Sequence, residues 1–269
     1  MGSDANSFLA RVPPKHIDYP RNSWRTAEAN GITLSLDISD LIGWYVYWGL
    51  TDAPRKRLYS LIEPGDCVID IGANLGETAL NAARLVGPDG RVFALEPFPA
   101  NFELLSTNIG LNTFENITII NKAIGAENQI LQMVVADENN AGMNRISDAS
   151  SSESQKTTDV EVTKLDDLVT QLGIRKIDLI KVDVEGFEMN VLHGAASVLK
   201  AHRPKLFVEV IDTYLRRQGS STAEVLALLE SLDYRLTHAN TGDRVSSRDK
   251  FEETQFDVVA LPPDSLPKA

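Results

Sequence analysis

Short runs of apolar residues alternate with helical patterns from Asp52 to the end of the chain. An apolar run of strand length that is bounded by turn residues is typical of a strand buried on both faces of a parallel sheet. Parallel neighbours need a crossover connection, which is usually a helix, so this alternation indicates βαβ units. The sequence therefore predicts an α/β protein with a Rossmann-like, mostly parallel sheet flanked by helices.

The individual elements of this α/β pattern are predicted from apolar periodicity and from turn residues. The predicted strands are residues 67–71, 91–95, 117–120, 129–136, 159–164, 177–182, 206–210, 234–237 and 256–261. The predicted helices are residues 50–62, 76–86, 100–111, 165–172, 188–201 and 222–232. The polar, serine-rich segment 137–157 is predicted to be a long loop.

Two regions are expected along the 269 residues. Residues 1–50 form an N-terminal extension that is irregular up to residue 30, and 32–38 alternate as in a strand. Residues 51–264 form the α/β domain. A cluster of aromatic side chains in the extension is available for packing, for a pocket wall or for an interface in an oligomer. The cluster consists of Trp44, Tyr45, Tyr47 and Trp48.

Charge and cysteine content narrow the functional classes. The formal net charge is −12, and such a surface repels phosphate backbones, so we expect no nucleic-acid partner. The single cysteine, Cys67, excludes a disulfide framework or a thiolate metal site within one chain. No apolar run is long enough to span a bilayer and no signal pattern begins the sequence, so we expect a cytoplasmic protein without a membrane partner.

A glycine-containing turn follows the first predicted strand, in the run VIDIGANLGET at residues 68–78. Ligands of open parallel sheets bind at the carboxyl ends of the strands. Gly72 is expected to let the backbone approach a ligand without a Cβ atom between them. Gly76 is expected to let the following helix start close to the sheet. This turn is the predicted cofactor loop.

The same turn distinguishes between cofactors. A dinucleotide site has the pattern GxGxxG, with the pyrophosphate at the helix N-terminus, but Asn74 replaces the second glycine here. Glu77 places a negative charge in the first helical turn, which opposes a pyrophosphate. S-adenosylmethionine has no phosphate, and its cationic groups are compatible with acids such as Asp70. The sequence favours this cofactor over NAD, and an NAD(P)-dependent oxidoreductase is the alternative.

Two further strand ends carry carboxylates. Glu96 follows the second strand, where a carboxylate can accept hydrogen bonds from both ribose hydroxyls of either cofactor. Asp183 and Glu185 follow the strand 177–182, and Asp183 is expected to face the ligand side. Lys181 lies within this apolar strand and requires a partner, for which Asp183 is a candidate.

Together these motifs resemble the FkbM family of methyltransferases. The matching blocks are DIGANLG at 70–76, LEP at 95–97, NKA at 121–123, VTKLDDL at 162–168, KVDVEGFE at 181–188 and VLHGA at 191–195. The resemblance covers roughly residues 55–212. It implies a seven-stranded class I methyltransferase fold whose last strand is antiparallel. It also implies S-adenosylmethionine as the methyl donor and, typically, a hydroxyl group as the acceptor.

The resemblance assigns roles by position. It implies a cofactor-binding set of Asp70, Gly72, Ala73, Asn74, Gly76, Thr78, Glu96, Pro97, Ala123 and Asp183. In this set Glu96 holds the ribose, and Ala123 lies next to the adenine. Asp183 and Glu185 lie near the methyl group and the acceptor. Residues 1–50 and 137–157 match no motif of the family.

Methyl transfer to a hydroxyl group requires alignment and benefits from a base, for which Asp183 and Glu185 are the candidates. With Glu209 these two acids form a set of oxygen ligands suited to Mg²⁺. We favour the alternative that Glu209 pairs with Lys181 or Lys205, and therefore expect no metal. The expected acceptor is a small molecule such as a sugar, a polyketide or another natural product. A non-catalytic cofactor-binding module is the remaining alternative.

Overall fold

A twisted sheet of seven strands forms the centre of the computed structural model. The structure describes residues 3–4, 13–135, 144–147, 155–251 and 254–263. The strands in chain order are β1 (Ser3–Asp4), β2 (Trp24–Ala29), β3 (Ile32–Asp37), β4 (Leu50–Thr51), β5 (Cys67–Ile71), β6 (Arg91–Leu95), β7 (Ile117–Ile120), β8 (Ala123–Ile124), β9 (Gln129–Val134), β10 (Arg145–Ile146), β11 (Thr157–Thr163), β12 (Leu179–Val182), β13 (Lys205–Ile211), β14 (Arg235–His238) and β15 (Gln255–Leu261).

Helices cover both faces of this sheet. They are α1 (Leu41–Tyr47), α2 (Ala53–Ser60), α3 (Glu77–Val86), α4 (Pro99–Gly110), α5 (Leu165–Gln171), α6 (Glu188–Gly194), α7 (Ala196–His202), α8 (Asp212–Arg217) and α9 (Thr222–Ser231), and a short 3-10 helix spans His16–Asp18. Within the described residues no helix is both long enough and apolar enough to cross a membrane.

The strand order of the sheet is β14-β15-β13-β12-β5-β6-β7. β15 runs antiparallel to both of its neighbours, while the pairs from β13 to β7 are parallel. The expected seven-stranded fold with an antiparallel last strand is thereby confirmed. The chain fills the sheet in one direction from β5 to β7 and then in the other from β12. The order therefore reverses between β5 and β12, where open α/β sheets bind ligands.

The core consists of an apolar layer on each face of the sheet. Adjacent residues of β5 illustrate this division, since Val68 packs with α2 and α3 while Ile69 packs with α5, α6, α7 and α9. Successive side chains of a strand point to opposite faces, and both of these side chains are buried. Burial on both faces explains why the parallel strands appear in the sequence as uninterrupted apolar runs.

The N-terminal extension contains a hairpin that packs on the helices. β2 and β3 pair antiparallel through the turn at Asn30 and Gly31, both of which have positive φ. The strand predicted over residues 32–38 is confirmed, and its alternate residues are buried. The expectation of irregular structure up to residue 30 is wrong for Trp24–Ala29, which form β2. The sequence does not indicate this strand, because its residues are largely exposed and show no apolar alternation.

A second sheet has the order β10-β9-β11-β8 and is separate from the central one. The strands predicted over 129–136 and 159–164 form β9 and β11 of this sheet. The predicted loop 137–157 is wrong at Arg145–Ile146, which pairs antiparallel with β9, and at Thr157, where β11 begins. Residues 136–143 and 148–154, which include most of the predicted loop, lie outside the described residues.

Two helical predictions also need correction. The helix predicted over residues 188–201 is divided into α6 and α7 at Ala195, whose φ of −108° interrupts the helix. A Cβ atom at Gly194 would lie 1.9 Å from the carbonyl oxygen of Gly125, so α6 ends in close contact with that backbone. α8 was not predicted; its first residue, Asp212, accepts hydrogen bonds from the Thr222 amide and from Arg216 Nε.

Candidate active site

A cavity of about 260 Å³ opens at the carboxyl ends of β5, β6 and β12. Most of the residues that the sequence assigned to the cofactor and to catalysis line it. They are Gly72, Ala73, Asn74, Thr78, Glu96, Pro97, Ala123, Asp183 and Glu185. Two members of the predicted set, Asp70 and Gly76, lie behind the cavity wall.

The loop after β5 is held against both neighbouring strands. The amides of Gly72 and Ala73 both donate to the carbonyl oxygen of Leu95, at 3.0 and 2.9 Å. Gly72 has a φ of +82°, and a Cβ atom there would lie 1.9 Å from the carbonyl oxygen of Asp183. Glycine is therefore required at position 72 because the backbone there lies against the end of β12. The expectation that Gly72 is required for an approach to the ligand is corrected.

Gly76 has a different role from the one expected. It precedes the first residue of α3 with a φ of +92°. A Cβ atom at this position would lie 2.6 Å from the Leu105 side chain of α4. Gly76 therefore allows α3 to start close to α4 rather than close to the sheet.

Glu96 lies at the end of β6 and is almost completely buried. One carboxylate oxygen accepts from the Asn74 amide at 2.9 Å, and the other accepts from the Phe98 amide at 3.0 Å. Burial raises the pKa of Glu96 to about 7, against the effect of these two backbone donors. The side chain thus links the loop after β5 to the end of β6 and lines the cavity.

Lys181 connects three parts of the site. Its Nζ donates to the carbonyl oxygen of Gly72 at 2.8 Å and forms ion pairs with Asp70 and Asp183, each at 3.2 Å. The expected pairing with Asp183 is confirmed, and Asp70 is a second partner. Burial alone would lower the pKa of Lys181, but the two carboxylates overcome this effect and raise it. Asp70 is fully buried and supports the loop after β5 through Lys181.

Three carboxylates converge on the side of the cavity formed by β12 and β13. Oxygen atoms of Asp183, Glu185 and Glu209 lie within 4.8 Å of one another. Glu209 hydrogen-bonds Asp183 and accepts from Gln255 at 3.2 Å, whereas the ammonium of Lys205 lies 3.0 Å from Glu63. The pairing of Glu209 with Lys181 or Lys205 is therefore wrong.

Proton sharing explains how the carboxylates tolerate this proximity. Burial and the charge of Asp183 raise the pKa of Glu209 well above its usual range. Although burial opposes it, the charge of Lys181 helps to lower the pKa of Asp183. These opposite directions favour a proton on Glu209 and a negative charge on Asp183. The cluster also has the oxygen donors that a divalent cation prefers, and the expectation of no metal stays a prediction.

Glu185 lies on a strained turn between β12 and α6. Its φ is +53°, a left-handed value that is uncommon for a residue other than glycine, and Gly186 follows with +102°. The carboxylate of Glu188 accepts from the amides on both sides, those of Val184 at 3.3 Å and Gly186 at 3.1 Å. This clamp holds Glu185 against the cavity. Strain of this kind is frequent at functional sites. Burial, with the charge of Asp183, raises the pKa of Glu185 to about 8.

The remaining walls come from segments outside the predicted motifs, and the aromatic cluster of the extension does not line the cavity. Ile42 and Val46 of α1 form one apolar wall, and Met133 and Ile146 of the second sheet form another. Arg55 of α2 also lines the cavity. Sequence reasoning missed Arg55, since it lies in a predicted helix without a recognisable motif.

Comparison with known proteins identifies the kind of domain. A family model described as the Methyltransferase FkbM domain matches residues 70–236, which contain the loop after β5, Glu96 and the acidic turn after β12. The crystal structure of methyltransferase FkbM from Methylobacillus flagellatus aligns with a TM-score of 0.45 and 19% identity, over 77% of this chain and 50% of that one.

Sequence relatives are distant. The AMB antimetabolite synthetase AmbE of Pseudomonas aeruginosa is 26% identical over 221 residues, which are 70% of this chain and 10% of that protein. The 2-O-methyltransferase NoeI of Sinorhizobium fredii is 27% identical over 194 residues, covering 66% of this chain and 77% of that protein. The 31-O-demethyl-FK506 methyltransferase FkbM of Streptomyces tacrolimicus is 27% identical over 207 residues, covering 62% and 72%.

Proposed function

The chain belongs to the FkbM methyltransferase family, and from this premise we propose that it methylates a hydroxyl group of a small molecule. It is an S-adenosylmethionine-dependent methyltransferase. The class of methyl acceptor is our proposal and goes beyond what family membership shows. Family membership does not favour the NAD(P)-dependent oxidoreductase that the sequence left as an alternative.

Two relatives support an oxygen acceptor. NoeI is named a 2-O-methyltransferase, and FkbM of Streptomyces tacrolimicus is named for a 31-O-demethyl substrate. Both are about equally distant from this chain, at 27% identity. The acidic cluster beside the cavity adds a chemical reason, because a hydroxyl nucleophile benefits from a nearby proton acceptor.

The cofactor is assigned to the side of the cavity formed by the ends of β5 and β6. Glu96 accepts the ribose hydroxyls, since its carboxylate is fixed by two backbone amides and lines the cavity. The backbone from Gly72 to Asn74 lies beside it, with Thr78 at the start of α3. Pro97 and Ala123 line the part of the cavity assigned to the adenine. Asp70 and Gly76 do not line the cavity and support the lining residues from behind.

The reaction requires alignment and the removal of one proton. When bound, S-adenosylmethionine supplies a methyl carbon activated by the adjacent sulfonium. Glu185 and Asp183 are the candidate bases, because both line the same cavity as Glu96. Asp183 is held ionised by Lys181, and Glu185 is held on the turn that Glu188 clamps. The observation that carries the proposal is this placement of carboxylates in one cavity with the cofactor loop.

Other expectations from the sequence stay predictions. They include a catalytic domain at residues 51–264, a cytoplasmic location and the lack of nucleic-acid and membrane partners. The net charge of −12 supports the expectation about nucleic acid.

The test combines cofactor binding with labelled methyl transfer. The wild-type protein is expected to bind S-adenosylmethionine in calorimetry and to transfer a labelled methyl group to hydroxyl compounds such as sugars and polyketides. Glu185→Ala is expected to abolish transfer and to retain cofactor binding. Glu103→Ala, which alters an exposed glutamate of α4 that does not line the cavity, serves as the control and is expected to retain both.

Transfer to amines but not to hydroxyl groups would overturn the acceptor class. Loss of both binding and transfer in Glu185→Ala would move Glu185 from the catalytic to the cofactor-binding residues. Binding without transfer to any acceptor would favour the non-catalytic module.

A further inference from the structure

The methionine part of S-adenosylmethionine carries a carboxylate as well as ammonium and sulfonium groups. An ionised carboxylate that leaves water needs a cationic or hydrogen-bonding partner. The cavity walls are rich in acids, and these suit the two cationic groups of the donor. The single anionic group needs a different kind of residue, so each cation of the cavity is a candidate.

Three cationic side chains, Arg55, Lys122 and Lys181, line the cavity among the described residues. Lys181 has three N–H donors, and three oxygens surround its Nζ, those of Gly72, Asp70 and Asp183. Two carboxylates therefore balance the charge of Lys181 within the protein.

Lys122 is placed differently from the other two cations. Its Nζ lies 2.9 Å from Glu161, and its side chain is 40% exposed. It directly precedes Ala123, and Asn121 donates to the carbonyl oxygen of Glu96. Lys122 therefore lies on the side of the cavity assigned to the ribose and adenine, away from the methionine part.

Arg55 is the remaining cation that lines the cavity. Among the described residues its nearest ion contact is with Glu77, at 3.9 Å, which is too long for a hydrogen bond. The Glu77 carboxylate already accepts from the Tyr59 hydroxyl at 2.9 Å and from Asn81 at 2.9 Å. The guanidinium lies 5.6 Å from the centre of the Tyr45 ring, which supports its orientation.

The surroundings of Arg55 match the methionine part of the donor. Arg55 lines the cavity together with Glu77 and Thr78 at the start of α3, and its guanidinium lies 3.9 Å from Glu77. Asp183 and Asp257 both interact electrostatically with its guanidinium. One cation among several acids is the charge arrangement that a group with one carboxylate and two cations requires.

We propose that Arg55 binds the methionine carboxylate of S-adenosylmethionine through its guanidinium group. The planar fork of arginine can donate two parallel hydrogen bonds to a carboxylate. Arg55 precedes the residues 70–236 that match the family model, so the match does not assign it. The inference rests on the proposed function only in requiring that the donor binds in this cavity.

The experiment compares two ligands that differ in the amino-acid group that carries this carboxylate. S-adenosylhomocysteine retains it, whereas 5′-methylthioadenosine has the same nucleoside and thioether but no amino-acid group. Calorimetry with wild-type protein, Arg55→Gln, Arg55→Lys and a control measures both dissociation constants. The control is Arg57→Gln, which changes an exposed arginine of the same helix that does not line the cavity. Loss of a charge-assisted pair is expected to weaken S-adenosylhomocysteine binding by about 10- to 100-fold in Arg55→Gln. 5′-Methylthioadenosine has no carboxylate for Arg55 to bind, so its dissociation constant is expected to change less than about twofold. Such a change corresponds to less free energy than one hydrogen bond.

Arg55→Lys is expected to recover part of the loss, and Arg57→Gln is expected to match the wild type with both ligands. Equal weakening of both ligands by Arg55→Gln, or no weakening of either, overturns the assignment. If wild-type protein binds neither ligand, the proposed function fails as well, so the two failures are distinguishable. Thermal unfolding of each variant without ligand confirms that the folded protein is being compared.

Discussion

Lys181 and Asp70 are register neighbours on β12 and β5, and Lys181 Nζ lies 3.2 Å from Asp70 Oδ1 in the interior of the sheet. The Asp70 side chain is completely buried, and that of Lys181 is 9% exposed. The pair therefore holds the two strands together at the point where the strand order reverses. The ammonium of Lys181 and the carboxylate of Asp70 stabilise each other's charge, because water reaches neither group freely.

The first prediction concerns removal of this buried cation. Lys181→Met leaves Asp70 and Asp183 without their shared partner, and breaking a buried ion pair costs about 3–5 kcal/mol of the free energy of unfolding. Lys176→Met is the matched control, because Lys176 pairs with Asp178 at 2.6 Å but is 75% exposed. A surface pair contributes about 0–1 kcal/mol. Urea unfolding measures both variants, and equal losses would contradict the prediction.

The second prediction compares two glycines with similar backbone conformations. Gly72 and Gly65 have φ values of +82° and +87°, but only Gly72 has backbone atoms where a Cβ would be placed. Gly65→Ala is expected to cost about 1 kcal/mol through backbone strain alone. Gly72→Ala is expected to cost a further 1–3 kcal/mol, roughly, because the strands must move apart. It should also weaken S-adenosylmethionine binding in calorimetry, and unchanged binding would argue against the assigned loop.

The third prediction concerns stability as a function of pH. Burial raises the pKa of Glu188 to about 7, and similar effects act on Glu96 and Asp257. A glutamate in the unfolded chain has a pKa of about 4.3. Between these values the folded protein keeps protons that the unfolded chain has released, so the free energy of unfolding falls as pH rises from about 4.3 to 7. Urea unfolding at several pH values should show this decline.

Glu188→Gln isolates one contribution to this decline. The amide oxygen can still accept from the Gly186 amide, which lies 3.1 Å from the present carboxylate, but the side chain no longer titrates. The variant should therefore lose less stability with rising pH than the wild type. Glu103→Gln, on an exposed part of α4, is the control and should keep the wild-type slope. A Glu188→Gln slope equal to that of the wild type would refute this origin.

The fourth prediction concerns the rate of methyl transfer. Burial, with the charge of Asp183, raises the pKa of Glu185 to about 8. A base acts only when deprotonated, so kcat/KM should rise with pH up to about 8 and then level off. Glu185→Gln should lower kcat by about 100-fold or more, remove this rise and leave the dissociation constant of S-adenosylmethionine unchanged. Persistence of the rise in the variant would assign the titration to another group.

The order of the central elements was predictable because burial on both faces leaves a strong pattern in the sequence. β5 and β6 were predicted with the bounds that the structure shows, and the helix after Gly76 was predicted within one residue. β2 was missed because its residues are mostly exposed, although the Asn30–Gly31 pair was a local hairpin signal. The break at Ala195 depends on contact between Gly194 and Gly125, which are distant in sequence.

The candidate site was predictable to a similar extent. Strand-end acids and the glycine turn are continuous motifs, and most of their residues line one cavity. The partners of Glu209 were not predictable, because β15 brings Gln255 beside it only through strand pairing. Arg55 lies in a helix that precedes the central sheet, and no local pattern distinguishes its guanidinium from a solvated one. Tertiary packing, and not local sequence, determines these features.

The apolar walls of the cavity have a consequence for how this enzyme can diverge. Ile42 and Val46 on one wall, and Met133 and Ile146 on the other, belong to segments outside the seven-stranded sheet. Substitutions there change the shape offered to a substrate without altering the strand tips that carry Glu96 and Asp183. Selection for new substrates can therefore act on these segments while the strand ends that we assign to the methyl donor are inherited unchanged.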